Sequence, residues 1–323
     1  MDTLLLKSTD SDCIKQAVIL LKKGRLVGVP TETVYGLAAD AKNAKAIQEI
    51  FRVKKRPTNH PLILHLPNIA DLDNWAVNIP DAFYELARKL MPGSLSVLLQ
   101  KKSTVSYSIT GGTEKICVRV PNHKTLLQII ESLGNPIVAP SANIFGRISP
   151  TTAEHVLHDL CGEIDAVVDG GECDVGIEST IIDLTTPQPL LLRPGGVNII
   201  TLEEILGTKV AIPDFNNTKV SGNLANHYQP ITKLTPIPKE GIIDHAERSD
   251  ANDKTIFLLF EDQHRIKLNN YLMPLDVVKY SQLFYAVLRT LDKGGFKEIC
   301  IALPPNKPEW LAIHDRILKA SHK

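Results

Sequence analysis

Short apolar runs bounded by glycine, proline and polar clusters alternate along this chain with stretches whose apolar residues recur at helical spacing. That alternation restricts the fold more than any other feature. Residues 26–29, 61–66, 94–99, 116–120, 136–139, 166–168 and 180–184 read as strands. Ile14, Ala17, Val18 and Leu21 lie on one helical face, with Ser11 or Asp12 as cap and Gly24 as stop. Ala44, Ile47, Ile50 and Phe51 mark a second helix, and residues 82–90, 124–133 and 152–160 continue the pattern. Thr201-Leu-Glu-Glu204 has the form of a capping box opening a short helix. The mixture predicts an α/β domain with a mixed sheet extending to about Gly207.

From Ile212 to Glu240 proline, asparagine, glycine and threonine dominate, as in a linker, yet the stretch carries His227-Tyr228-Gln229-Pro230. A mere spacer does not need an imidazole and an aromatic ring side by side. Beyond it, strand (255–260), helix (282–291), strand (298–302) and helix (310–320) predict a small parallel α/β domain. A length of 323 residues favours two domains, here 1–211 and 241–323 joined by a linker or lid at 212–240.

Lysine plus arginine equals aspartate plus glutamate, 36 each, so no global positive field holds a nucleic acid. At most a transient tRNA or RNA contact is expected. No basic, long apolar leader opens the chain and no run approaches a membrane span, so the expected place is the cytoplasm, away from membranes. Five cysteines without Cys-x-x-Cys spacing argue for reduced, structural thiols rather than a disulfide framework or zinc ribbon.

The strand at 26–29 delivers Pro30-Thr-Glu-Thr-Val-Tyr-Gly36, two hydroxyls, a carboxylate and a phenol at a strand end. One helix later comes Lys54-Lys55-Arg56-Pro57. This cluster is either a solvated helix end favoured by the macrodipole or a phosphate grip, and Pro57 and Pro61 stiffen the loop that would present it. His65 fits a core histidine as well as a ligand contact. Arg119 interrupts an apolar strand, so a buried carboxylate or a ligand carboxylate must compensate it. Pro140-Ser-Ala-Asn143 and Gly146–Thr152 are ordinary loop caps or oxyanion sites at a strand end and a helix start. Ser141 lacks the flanks of a hydrolase elbow. His155 and His158 read as surface residues.

Taken in order, Pro-Thr-Glu-Thr-Val-Tyr-Gly, Lys-x-Arg-Pro with Pro-Leu-Ile-x-His, Val-Arg-x-Pro, Ala-Pro-Ser-Ala-Asn, Gly-Arg-x-Ser-Pro-Thr, Glu-Ser-Thr and Arg-Pro-Gly-Gly closely resemble the L-threonylcarbamoyladenylate synthase family. His227-Tyr228-x-Pro230 and the tail resemble its long, two-domain form. The resemblance implies a YrdC-like twisted mixed sheet with flanking helices, plus a smaller Rossmann-like parallel α/β domain. It implies synthesis of threonylcarbamoyl-AMP and pyrophosphate from L-threonine, bicarbonate or CO2, and ATP with Mg2+. Other proteins would transfer the product to tRNAs reading ANN codons.

By the same resemblance Thr33, His65, Arg119, the Ala139 backbone and Ser179 surround threonine. Arg56, His60, Lys115, Ser141, Asn143, Ser149, Arg193 and Tyr228 surround ATP, with Lys54 and Arg56 acting on the phosphates. Thr31, Glu32 and Tyr35 are left to shape the turn and wall. His60 stands where the family usually has asparagine, and 221–226 departs from its usual Pro-Gly-Met approach to His-Tyr. The rival readings are a double-stranded RNA or tRNA-binding module, kept alive by the Lys54–Arg56 cluster, and a carbamoyltransferase subdomain without its usual partners.

Overall fold

The computed structural model describes residues 2–213, 227–248, 254–261 and 269–322. It divides into two compact units, Met1–Phe145 with Ser149–Asn223, and Gly146–Ile148 with Leu224–Lys323. Residues 214–226 of the expected lid, including the stretch 221–226, lie outside the described residues.

In the first unit the chain runs β1 (Leu4–Lys7), α1 (Cys13–Lys22), β2 (Val27–Val29), β3 (Gly36–Asp40), α2 (Ala44–Lys54), β4 (Ile63–His65), β5 (Ala76–Val77), α3 (Asp81–Leu90) and β6 (Leu95–Lys101). It continues with α4 (Tyr107–Thr110), β7 (Lys115–Arg119), α5 (Lys124–Leu133), β8 (Ile137–Val138), α6 (Ala153–Leu160), β9 (Ala166–Asp169), β10 (Thr180–Asp183), β11 (Leu190–Arg193) and α7 (Ile199–Leu206). One mixed sheet holds these strands in the order β1-β9-β2-β3-β8-β4-β7-β6-β10-β11, with β5 beside β6. The expected α/β architecture is therefore present.

The core explains why helices flank this sheet. Ala17, Val18 and Leu21 of α1 and Leu126, Ile129, Ile130 and Leu133 of α5 pack with Val27, Val29, Ala38, Ile137, Ala166 and Val168 of the sheet. Each such leucine or isoleucine contributes roughly 1.5–3 kcal/mol, and that burial fixes the helical face. Asn43 caps α2 by accepting from the N–H groups of Lys45 and Ala46, both at 3.1 Å. The helix ends at Lys55 in a left-handed turn, φ 53°. That turn leaves Lys55 exposed while Lys54 and Arg56 point into the protein.

Some local expectations shift. Asp12 occupies the N-cap of α1 without a side-chain cap hydrogen bond. The cap of α7 is Asn198, whose Oδ1 accepts from Thr201 N at 2.8 Å, so the helix starts before the apparent capping box. The segment expected as linker contains a strand, β12 (Lys233–Ile237), paired in parallel with Glu298–Ala302. Its alternation was obscured by Pro236, which an edge strand tolerates.

The second unit adds α8 (Ile242–Arg248), β13 (Thr255–Phe260), β14 (Asn270–Met273), α9 (Val277–Lys293), β15 (Glu298–Ala302) and α10 (Leu311–Ser321). Its sheet runs β12-β15-β13-β14 and every described pairing is parallel. Tyr228 sits here at φ 64°, with the Arg316 guanidinium 5.0 Å from its ring centroid. Among the described residues no helix is long and apolar enough to cross a membrane. Cys13, Cys117, Cys161, Cys173 and Cys300 are all free thiols.

Gly195, in the Arg-Pro-Gly-Gly turn after β11, lets two backbone segments meet. An added Cβ would stand 2.3 Å from Glu178 O and 2.5 Å from Thr180 N. Gly195→Ala should cost about 1–3 kcal/mol or more through this overlap. Urea denaturation checks it, and unchanged stability would contradict the packing.

Candidate active site

A six-residue link joins β2 to β3, whose closing pair is Val29 and Gly36. Its shape is set by one hydroxyl. Thr31 Oγ1 accepts from Thr33 N (3.0 Å) and Val34 N (3.2 Å) and donates to Val34 O (2.7 Å). It also meets Thr33 Oγ1 at 2.8 Å. Tyr35 anchors the far side, its hydroxyl donating to Gly171 O at 2.7 Å and accepting from Gly170 N at 3.1 Å. Gly36 is required because a Cβ there would approach Ala139 Cβ to 3.0 Å, which brings the Pro140–Asn143 loop against the link.

β4 and β7 are parallel with His65 opposite Arg119 at their carboxyl ends. β6 and β10 begin beside them, so Ser96 and Ser179 join this corner, their hydroxyls 2.7 Å apart. Arg193 donates to Ser179 twice, Nε to its carbonyl at 2.9 Å and Nη2 to its Oγ at 3.0 Å. Ser149 donates to Glu178 Oε1 at 2.6 Å, one residue away. Arg119 Nε donates to Gly93 O at 3.2 Å, and its Nη2 lies 2.7 Å from Glu32 Oε1. The buried carboxylate demanded by Arg119 is thus Glu32, which sequence reasoning assigned to the turn. A charged residue between two threonines was the available signal, and it looks the same in any polar loop.

The cationic cluster is divided. Lys54 is buried, and its Nζ donates to Ser141 O (2.5 Å), Asn143 O (2.6 Å) and Asn143 Oδ1 (3.4 Å). Its ammonium therefore secures the loop carrying Ser141 and Asn143. Arg56 donates through Nη2 to Pro61 O at 2.9 Å and lies over the Phe145 ring, whose centroid is 5.3 Å away. The His60 ring meets the same phenyl edge-on at 5.4 Å. The solvated-end reading holds only for Lys55, since Lys54 and Arg56 are 1% and 6% exposed.

One expected contact within the first unit lies farther along its strand. Lys115 begins β7 and pairs with buried Asp183 at 2.8 Å. Four residue steps along the strand carry it about 13 Å from Arg119. Tyr228 belongs to the second unit. Among the described residues no group of three or more His, Cys, Asp or Glu side chains is arranged to hold a metal ion.

Electrostatics sharpen the corner. Burial, with the Arg119 charge adding to it, pushes His65 down to about 3, so the imidazole is neutral and Nδ1 rests 3.1 Å from Ile63 O. Burial, then the neighbouring Arg56, pulls Lys54 well below the usual lysine range. The loop oxygens around its ammonium favour the charged form.

Because the folded His65 binds its proton less readily than the unfolded one, its contribution to stability is present above pH 6.5 and lost as pH falls towards 3. His65→Gln should flatten the stability curve across that window by on the order of a few kcal/mol, read by urea titration at stepped pH. An unaltered slope would refute it. Lys54→Met should leave the loop carbonyls unsatisfied and cost about 1–3 kcal/mol in the same assay at neutral pH.

A family model for Sua5, YciO and YrdC proteins, described as "Telomere recombination", matches residues 19–195. A second, "Threonylcarbamoyl-AMP synthase, C-terminal domain", matches residues 197–322. The threonylcarbamoyl-AMP synthase of Pyrococcus abyssi is 35% identical over 95% of this chain and 94% of its own. That of Bacillus subtilis is 34% identical over 97% and 94%. The solved structure of P. abyssi Sua5 complexed with L-threonine superposes with a TM-score of 0.92 at 32% identity, covering 99% of this chain and 98% of that one. With both its units matched, the chain belongs to the threonylcarbamoyl-AMP synthase family of enzymes.

Proposed function

We propose that this enzyme joins L-threonine, bicarbonate or CO2, and ATP into L-threonylcarbamoyladenylate with release of pyrophosphate. The observation that carries this reading is the buried corner where Arg119 faces a neutral His65 beside the hydroxyl of Ser179. A guanidinium takes a carboxylate, and small hydroxyls suit a short hydroxy amino acid. Thr33, held by the Thr31 turn, and the Ala139 backbone complete the threonine contacts in this proposal.

ATP is assigned to Arg56, His60, Ser141, Asn143, Ser149 and Arg193, with Tyr228 and Lys115 as further contacts. The threonine amine, in its neutral form, first forms an N–C bond with CO2 and releases a proton, or with bicarbonate and releases water. An oxygen of the resulting carbamate then attacks the α-phosphorus, forming a P–O bond as the bond to the pyrophosphate oxygen breaks. No covalent enzyme intermediate is needed. Arg56 balances charge on the phosphates, while Lys54 keeps the Ser141–Asn143 loop in position. Among the described residues no group of carboxylates is arranged as a cation cage, so magnesium would come as a companion of the nucleotide's phosphates and would supply charge neutralisation there.

The product would serve proteins that transfer its threonylcarbamoyl group to tRNAs reading ANN codons, and the proposed place of work is the cytoplasm. The burial of Lys54 and Arg56 favours a small-molecule site over an RNA-binding face, because charges below the surface cannot track a phosphate backbone.

Purified protein should release pyrophosphate from ATP only with both L-threonine and bicarbonate present, and mass spectrometry should find threonylcarbamoyl-AMP. Equal release without threonine would sink the proposal. Arg119→Ala should lower kcat/KM for threonine by about two orders of magnitude, roughly 3 kcal/mol of transition-state stabilisation, while thermal melting shows a folded protein.

A further inference from the structure

Glu32 and Arg119 form a pair that does not satisfy itself. Both side chains are 5% exposed, and Arg119 Nη2 lies 2.7 Å from Glu32 Oε1. The approach is close without being directional: Nη2 has no acceptor in line, and Glu32 Oε2 has no donor among the described residues. Ser94 Oγ reaches Oε1 only at 3.5 Å, and Arg119 Nε is engaged by Gly93 O. A pair whose task was purely structural would gain most from a two-pronged fork, with parallel N–H···O bonds. Here one cation and one anion stand side by side, each with a buried hydrogen-bonding atom unused. Such atoms cost about 1–3 kcal/mol each when left unmet.

The charge balance of this corner dictates what can fill it. A lone carboxylate arriving at Arg119 meets a second carboxylate already there, and repulsion in a low-dielectric pocket opposes it. A zwitterion brings its own compensation, because its ammonium can face Glu32 while its carboxylate faces Arg119. In an α-amino acid the two charges are carried on one carbon, which matches a cation and anion that are themselves in contact.

We propose that Glu32 is a specificity-determining residue that receives the α-ammonium of the amino acid whose carboxylate Arg119 takes, so that the site accepts a zwitterion and rejects the corresponding simple acid. This rests on the reading that threonine's carboxylate binds Arg119. Glu32 thereby has two roles: it neutralises Arg119 in the free protein and supplies the second pole of the amino-acid site in the complex.

Calorimetric titration of the full chain with L-threonine and with 3-hydroxybutyrate, which is threonine without its amine, tests the idea. Wild type should prefer threonine by at least about tenfold. Glu32→Gln should weaken threonine by about tenfold or more and strengthen 3-hydroxybutyrate, so that the preference collapses. An unchanged preference in a folded Glu32→Gln protein overturns the proposal. Should that variant fail to fold, Glu32→Asp retains the charge and must retain the preference. Wild-type dissociation constants within a few-fold of each other overturn the proposal without any variant. Arg119→Gln separates the two readings: undiminished threonine binding there removes the assignment of the carboxylate to Arg119, whatever Glu32 does.

Discussion

Cations buried at one end of a mixed sheet impose the constraint to which the surrounding loops answer. Lys54, Arg56, Arg119 and Arg193 are all nearly inaccessible. Each must recover the hydration it lost. Lys54 does so from the carbonyls of Ser141 and Asn143, Arg56 from Pro61 O, Arg119 from Gly93 O and Glu32, and Arg193 from Ser179. The oxygens come mainly from backbone, which cannot leave its place without disturbing the strands beside it. The loops of this corner are therefore held by the charges they serve, and the site is organised before a ligand arrives.

That organisation also decides which charges remain available. Neutral oxygens orient a guanidinium without cancelling its charge, as the carbonyl and hydroxyl of Ser179 do for Arg193. Glu32 does cancel charge, at Arg119. Neutral His65 adds no further cation to that corner. The proposed amino-acid end thus holds a cation and an anion side by side, while the guanidinium groups of Arg56 and Arg193 belong to the proposed nucleotide end.

Much of the architecture was legible because burial leaves a periodic trace. The apolar faces of α1, α2 and α5, and the continuous apolar runs of β6, β7 and β10, are visible in the residues themselves. β3 was not, since Gly36-Leu-Ala-Ala-Asp40 has little strand propensity and owes its conformation to β2 and β8 on either side. β12 was hidden by Pro236 in a stretch of linker-like composition. At the site, Arg119 announced that it needed a carboxylate, but not which one. Glu32 and Arg119 are separated by a large part of the first unit's sequence, and only the fold shows them to be partners. Lys54 shows the opposite limit: its type was noticed, but its engagement with the Ser141–Asn143 loop depends on where α2 ends.

The pairing of β1 with β9 has a consequence for synthesis on the ribosome. Residues 4–7 take their hydrogen bonds from residues 166–169, and Thr3 reaches Ile164 O across a separation of 161 positions. At about 5–20 residues per second, the first strand waits roughly 8–30 s for its partner to be made. Through that interval its backbone groups and the exposed Leu4 and Leu5 have no native strand to join. This edge of the sheet thus stays open until β9 has been made, and it is open to capture by other chains until then.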